Sequence, residues 1–152
     1  MELGGFVEME GTTMDERIPA TRTVVDRLMD ATRRRDLDGL VDCFDPDVVS
    51  DTPAHPARSF RGRESVRENW TQILRGVPDL HQELLGFSGD DRRAWCEWAW
   101  DGTRADGTPF GMRGVTIFDV AGDRITGVRF HMEPLERDGA DGPTSVRQAV
   151  TR

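Results

Sequence analysis

Hydrophobic and polar positions along this chain repeat first with a helical period and later with a strand period. Apolar residues recur at Val24, Leu28 and Ala31, widened by Val25 and Met29, which predicts a helix from Ala20 to the triplet Arg33-Arg34-Arg35. Asp36 is placed to cap a second, short helix with the stripe Leu37, Leu40, Val41 and Phe44, stopped by Pro46. Val48-Val49-Ser50-Asp51 then reads as a short strand ending before Pro53 and Pro56, both of which lack a ladder donor. The loop TPAHPARSFRG leads into a third helix, about Arg63 to Arg75, with the stripe Val66, Trp70, Ile73 and Leu74. Gly76 and Pro78 end it, and Leu80 to Ser88 follows as a strand with Gly86 as a candidate bulge.

From Arg92 to Glu133 the period becomes two, and three antiparallel strands are expected. Ala94, Cys96, Trp98 and Trp100 point one way, and Trp95, Glu97, Ala99 and Asp101 the other. Asp106-Gly107 is a two-residue hairpin signal, because both positions tolerate positive φ. With that turn centre, Ala99 falls opposite Gly114, Glu97 opposite Thr116 and Trp95 opposite Phe118. One face then combines Glu97, Ala99, Asp101, Met112, Gly114 and Thr116, as a half-open pocket would. The opposite face carries Trp98, Trp100, Arg113, Val115 and Ile117, a surface suited to burial against a second subunit, with Arg113 available for cation–π contact.

Helices first and a meander later describe an α+β domain, three N-terminal helices packed across the concave face of a curved antiparallel sheet. The domain is expected over residues 18–136. Residues 1–17 read as a mobile N-terminal lead-in, and the Gly-, Asp- and Ser-rich residues 137–152 as a flexible C-terminal tail.

At 152 residues the chain fits one domain. Its net charge of −8, with dispersed acids, argues against a nucleic-acid partner. No apolar run approaches the roughly 18 residues of a membrane span, and no signal peptide is visible, so a cytoplasmic location is the expectation. Cys43 and Cys96 match no metal spacing, and His55, His81 and His131 are scattered, so neither a metal nor another cofactor is expected.

Asp51 ends an apolar strand, where desolvation would raise its pKa and make it a usable proton carrier; an Asx turn before Thr52-Pro53 is the structural alternative. Glu97 stands between Trp95 and Ala99, either as a second buried carboxylate or as a cross-strand partner for a cation. Two such acids would separate into an acid and a base. His55 lies on the loop that would rim a pocket, and Trp70 either completes the core or stacks on a planar ligand. His131 and Glu133 face outward by alternation, and a one-residue slip would turn them in.

The helix pair ending LVDCFDPDVVSDTP, the helix SVRENWTQILRGVPD and the strand run WAWDGTRADGTPFGMRGVTIFDVAGDRITGVRF resemble the SnoaL-like branch of the nuclear transport factor 2-like superfamily, over roughly residues 20–135. The resemblance implies a cone-shaped α+β barrel that binds a small apolar molecule, often as a homodimer through the outer sheet face. Relatives include polyketide cyclases, ketosteroid isomerases, epoxide hydrolases, dehydratases and proteins without chemistry. Asp51 matches the strand-end position of the isomerases' proton-moving Asp. Gly114 stands where those enzymes hold a second acid, and no Tyr exists to serve as their phenolic partner. The epoxide-hydrolase triad positions are occupied by Glu97, Ala99 and Phe130. What remains is a pocket with Asp51 and Glu97, walled by Met112, Val128, Phe130 and Met132. Two functions are expected from this: a cofactor-independent cyclase, isomerase or dehydratase, or a non-catalytic small-ligand-binding or dimeric scaffold protein of the same fold.

Overall fold

The computed structural model describes residues 17–151, so the lead-in expected at 1–17 lies outside the described residues apart from Arg17. Helix α1 (Ala20–Arg33) buries Val24, Val25, Leu28 and Ala31, the stripe its period predicts. Asp36 caps α2 (Leu37–Asp42) by accepting from the Gly39 N–H at 3.0 Å. The chain then turns directly into β1 (Phe44–Asp51), so Phe44 begins a strand and does not extend the helical stripe.

The loop after β1 makes a 3-10 turn at Pro56–Arg58 and a two-residue strand, β2 (Phe60–Arg61). Gly62, at φ 91°, starts α3 (Arg63–Gly76), where a side chain would be strained. The Arg63 guanidinium donates to the Phe44 carbonyl at 2.6 and 2.9 Å and ties this helix to β1. Four strands follow: β3 (His81–Gly89), β4 (Arg93–Thr103), β5 (Pro109–Ala121) and β6 (Arg124–Pro134). A shift between Leu84 and Gly86 is the bulge expected there.

The six strands form one curled, unclosed sheet in the order β2-β1-β6-β5-β4-β3. It is mixed, since β1 runs parallel to β6 while every other pair is antiparallel. α1 and α3 lie across its concave side. The result is the α+β architecture expected from the chain order, with the cone shape that the family resemblance implies. The segment read as an irregular tail forms a further helix, α4 (Gly142–Val150), whose first turn is capped by Asp141 accepting from Thr144 N at 2.8 Å. Among the described residues no helix is long and apolar enough to cross a membrane.

One register differs from expectation, and it decides which side chains meet. The β4–β5 loop closes through Arg104 and Thr108, with Gly107 at φ 84°, so three residues form the turn where two were expected. Asp106 fixes it by accepting from the Thr108 N–H and hydroxyl at 3.0 and 2.7 Å. The extra residue shifts the pairing by one: Trp98 lies opposite Gly114, Ala99 opposite Arg113 and Glu97 opposite Val115. Because strands alternate, the slip exchanges the faces of β4 relative to β5.

Candidate functional site

The concave side of the sheet and the two long helices enclose a cavity of about 390 Å³. Val48, Ser50 and Thr52 reach it from the β1 edge, and Asn69, Trp70, Gln72 and Ile73 from α3. The sheet contributes Gln82, Trp98, Trp100, Met112, Thr116, Phe118, Val128 and Phe130. A larger hollow of about 920 Å³ at the start of α1 is an open surface depression flanked by the Arg17–Asp91 and Arg93–Asp119 ion pairs. Enclosure and an apolar wall make the smaller cavity the candidate site.

Trp100 stands at the centre of this wall. Its ring centroid is 5.6 Å from Trp70, 6.3 Å from Phe130 and 6.4 Å from Trp98, in tilted or edge-on arrangements that complement ring quadrupoles. Trp98 is 1% exposed, and its Nε1–H donates to Thr116 Oγ1 at 2.8 Å. Trp100 is 6% exposed, but its Nε1–H has no partner, and the same holds for Oε1 of Gln82, the residue directly opposite it on β3.

The structure divides the residues singled out from the sequence. Trp70, Met112, Thr116, Val128 and Phe130 all line the cavity, and Trp70 also belongs to the core. Met132 is buried in the core and Ala99 is buried in the wall, but neither lines the cavity. Gly114 is required for another reason than open space. At φ 145°, a Cβ there would run into the His131 carbonyl oxygen of β6. His55 flanks the cavity without lining it, and its Nε2 lies 3.0 Å from Glu133 Oε1.

Two corrections follow from alternation. Asp51 is exposed, because on β1 the inward positions are Val48 and Ser50, continued by Thr52. Its carboxylate therefore stays in solvent while its neighbours meet the cavity. Glu97 is likewise exposed, since the one-residue slip puts Trp98 and Trp100 inside. The expectation that Trp98 and Trp100 form a seam between subunits fails for the same reason: both are buried within the chain. Arg113 donates to the Trp100 and Met112 carbonyls at 3.1 and 2.9 Å and to Asp101 Oδ1 at 3.2 Å. The exposed tryptophan on the outer side is Trp95, at 52%.

Among the described residues the cavity wall thus contains no Asp, Glu or His, and its one charged side chain is Arg58, on the 3-10 turn at the rim. Polar groups reach it from Ser50, Thr52, Asn69, Gln72, Gln82 and Thr116. Cys96, on the inward side of β4, is fully buried, and burial pushes its thiol up to about 12. Burial also raises the Cys43 thiol, against the nearby Arg27 guanidinium. Among the described residues no group of three or more His, Cys, Asp or Glu is placed to hold a metal ion.

Sequence reasoning missed Ser50, Thr52, Arg58, Gln82, Trp98, Trp100 and Phe118 as wall residues. The signal for the tryptophans was present in the alternation of β4, and a three-residue turn at Ala105-Asp106-Gly107 would have assigned it to the inner face. Gln82 shares a strand face with Leu80 and Leu84, a polar break in an apolar row.

Solved structures share this architecture at low sequence identity. A nuclear transport factor 2-like protein of unknown function from Burkholderia pseudomallei aligns with a TM-score of 0.66 at 15% identity, covering 89% of this chain and 100% of that one. A Mycobacterium tuberculosis protein in complex with estradiol-17β-hemisuccinate aligns with a TM-score of 0.65 at 15% identity, over 74% and 92% of the two chains. TerC co-crystallised with polyporic acid gives 0.64 at 14% identity, over 75% and 92%. At these identities the likeness establishes the fold alone. No curated protein sequence matches the chain. The SnoaL-like domain profile matches residues 25–128, which span α1 to β6, and the chain belongs to the SnoaL-like family, within the nuclear transport factor 2-like fold.

Proposed function

We propose that this protein binds a small, largely apolar, ring-bearing molecule in the cavity between α1, α3 and the sheet. The observation that carries the reading is the grouping of Trp70, Trp100 and Phe130 around one enclosed hollow of about 390 Å³, a size that suits a small polycyclic molecule. Flat aromatic walls favour a planar guest through offset and edge-on contacts, and they bury apolar area with little loss of rotamer freedom. Arg58 at the rim adds one positive charge in a chain of net charge −8, which favours a guest with an acidic group at its outer end. Two proteins of this fold are seen with ring-bearing acids, estradiol-17β-hemisuccinate and polyporic acid, which is consistent with that choice.

Titration with estradiol-17β-hemisuccinate and 2-naphthol, followed by tryptophan fluorescence and calorimetry, tests the reading. Saturable quenching at one molecule per chain is expected, reduced about tenfold in affinity by Trp70→Ala. Absence of saturable binding by either compound up to millimolar concentration overturns it.

A second reading adds proton transfer, and the His55–Glu133 contact favours it. A carboxylate that orients a histidine beside a binding site is a recurring general-base arrangement. His55 sits in the turn between the wall residues Thr52 and Arg58, its N–H bonded to the Thr52 carbonyl and its own carbonyl to the Arg58 N–H, both at 2.9 Å. Acid–base chemistry would then belong to this rim pair, with Asp51 and Glu97 outside it. Deuterium exchange at the α-carbon of 2-tetralone should be accelerated by the protein and lose that acceleration in His55→Ala. Equal exchange rates in the two proteins would remove catalysis and leave binding.

A further inference from the structure

The polar interior of the cavity says more about the guest than its shape does. Trp98 and Trp100 stand on the same face of β4, two residues apart, yet only one has its indole N–H paired. Trp98 is satisfied by Thr116. Trp100 Nε1 and Gln82 Oε1 are both buried and both unpartnered, and they belong to residues directly paired across β3 and β4. One is a donor without an acceptor and the other an acceptor without a donor, and they do not bond to each other. Both residues line the cavity. An unmatched donor and acceptor side by side in an aromatic wall cost stability unless something brings the complementary atoms.

We infer that the guest carries a ring hydroxyl that seats between Gln82 and Trp100. This deepens the binding reading above and rests on it. A hydroxyl is the simplest group that answers both needs at one atom: its oxygen accepts from the Trp100 Nε1–H while its hydrogen is donated to Gln82 Oε1. A ketone or ether oxygen serves only Trp100, an amide N–H serves only Gln82, and a hydrocarbon edge serves neither. The indole of Trp100 is flanked by Trp70 and Phe130, so the ring bearing the hydroxyl lies among aromatic surfaces. The substrate class is therefore a phenol or ring alcohol, held at its hydroxyl by the sheet and open toward Arg58 at the rim. Discrimination is strong in such a site, because a guest lacking the hydroxyl leaves two buried groups unpaired.

Calorimetric titration of the protein with naphthalene, 2-methoxynaphthalene and 2-naphthol tests this. The protein is expected to bind 2-naphthol about tenfold more tightly than 2-methoxynaphthalene. Gln82→Leu and Trp100→Phe should each reduce that preference to about twofold or less, read as the ratio of the two affinities within each variant so that a general change in affinity cancels. A circular dichroism spectrum and urea midpoint like the parent's show that each variant is folded, and two separate variants keep the test decisive if one does not fold. Equal affinities for the three compounds in the parent protein, or a preference surviving both substitutions, overturns the hydroxyl assignment and leaves the cavity reading in place. Failure of all three compounds to bind overturns the cavity reading and the assignment with it.

Discussion

Trp98 and Trp100 are the same residue on the same strand face and both line the cavity, yet one indole N–H is paired within the chain and the other is not. Trp98 is 1% exposed and its one polar atom is paired with Thr116. Trp100 is nearly as buried and lines the same cavity, but it keeps an unpaired N–H. Burial alone would rank the two together. Hydrogen bonding distinguishes them, and it marks the part of the wall beside Trp100 and Gln82 as the one with an unpaired donor and acceptor.

Truncation should break the symmetry most visibly. Trp98→Ala removes a ring that is 1% exposed together with its hydrogen bond to Thr116, and is expected to cost about 4 kcal/mol. Trp100→Ala removes a ring whose N–H is already unpaired, so no hydrogen bond is lost and a smaller cost, about 3 kcal/mol, is expected from urea unfolding. The reverse order would abolish the distinction.

Removing the acceptors sharpens it further. Thr116→Val leaves the Trp98 N–H buried without a partner and should cost about 1–2 kcal/mol. Gln82→Leu removes an acceptor that has no donor, so stability without ligand should stay within about 0.5 kcal/mol of the parent or rise. Chemical denaturation of the two variants side by side measures the contrast.

At the mouth the expected effect is smaller and confined to ligand. Arg58→Ala should weaken estradiol-17β-hemisuccinate by about threefold to fivefold at low salt, leave 2-naphthol unchanged, and lose its effect as salt rises. Equal weakening of both compounds would mean that Arg58 supports the turn and not the ligand's charge.

The subtlest consequence concerns Cys96, on the inward row with Trp98. Its thiol is raised from 9.0 to about 12 by burial, so the folded chain holds this proton more tightly than the unfolded one. The associated stability is intact below pH 9 and is lost as pH rises from 9 toward 12. Cys96→Ala should flatten the pH dependence in that window. The folded parent should also resist thiol reagents at pH 8 until it is unfolded, since the reactive thiolate is suppressed.

Most of the architecture could be read from periodicity: α1, α2 and α3 begin where their stripes and the Asp36 cap place them, and the long strands follow their alternation. Of the cavity wall, Trp70 on α3 and Met112, Thr116, Val128 and Phe130 on β5 and β6 were legible. On β4 a single residue in the turn at Asp106-Gly107 reversed the outcome. Alternation states which residues share a face but not which face is inside. The turn decides that, and its length depends on side-chain bonds such as Asp106 to Thr108 that a two-residue signal does not reveal. Asp51 failed for the same class of reason, since its parity on β1 is set by a parallel partner more than 70 residues later in the chain, Asp51 lying beside Arg129. The tail helix was missed because Gly142 and Pro143 look like breakers, although both stand at its first positions, where they are tolerated.

That parallel pairing between β1 and β6 has a kinetic corollary. An early strand cannot find its neighbour until the last strand has been laid down beside the meander, so the loop closed by this step encloses about half of the polypeptide. Refolding should therefore proceed slowly for a chain of this length, with the hairpins of β3 to β6 forming first and β1 docking late. The β1 edge of the cavity, with Ser50 and Thr52, would be the last part of the molecule to take shape.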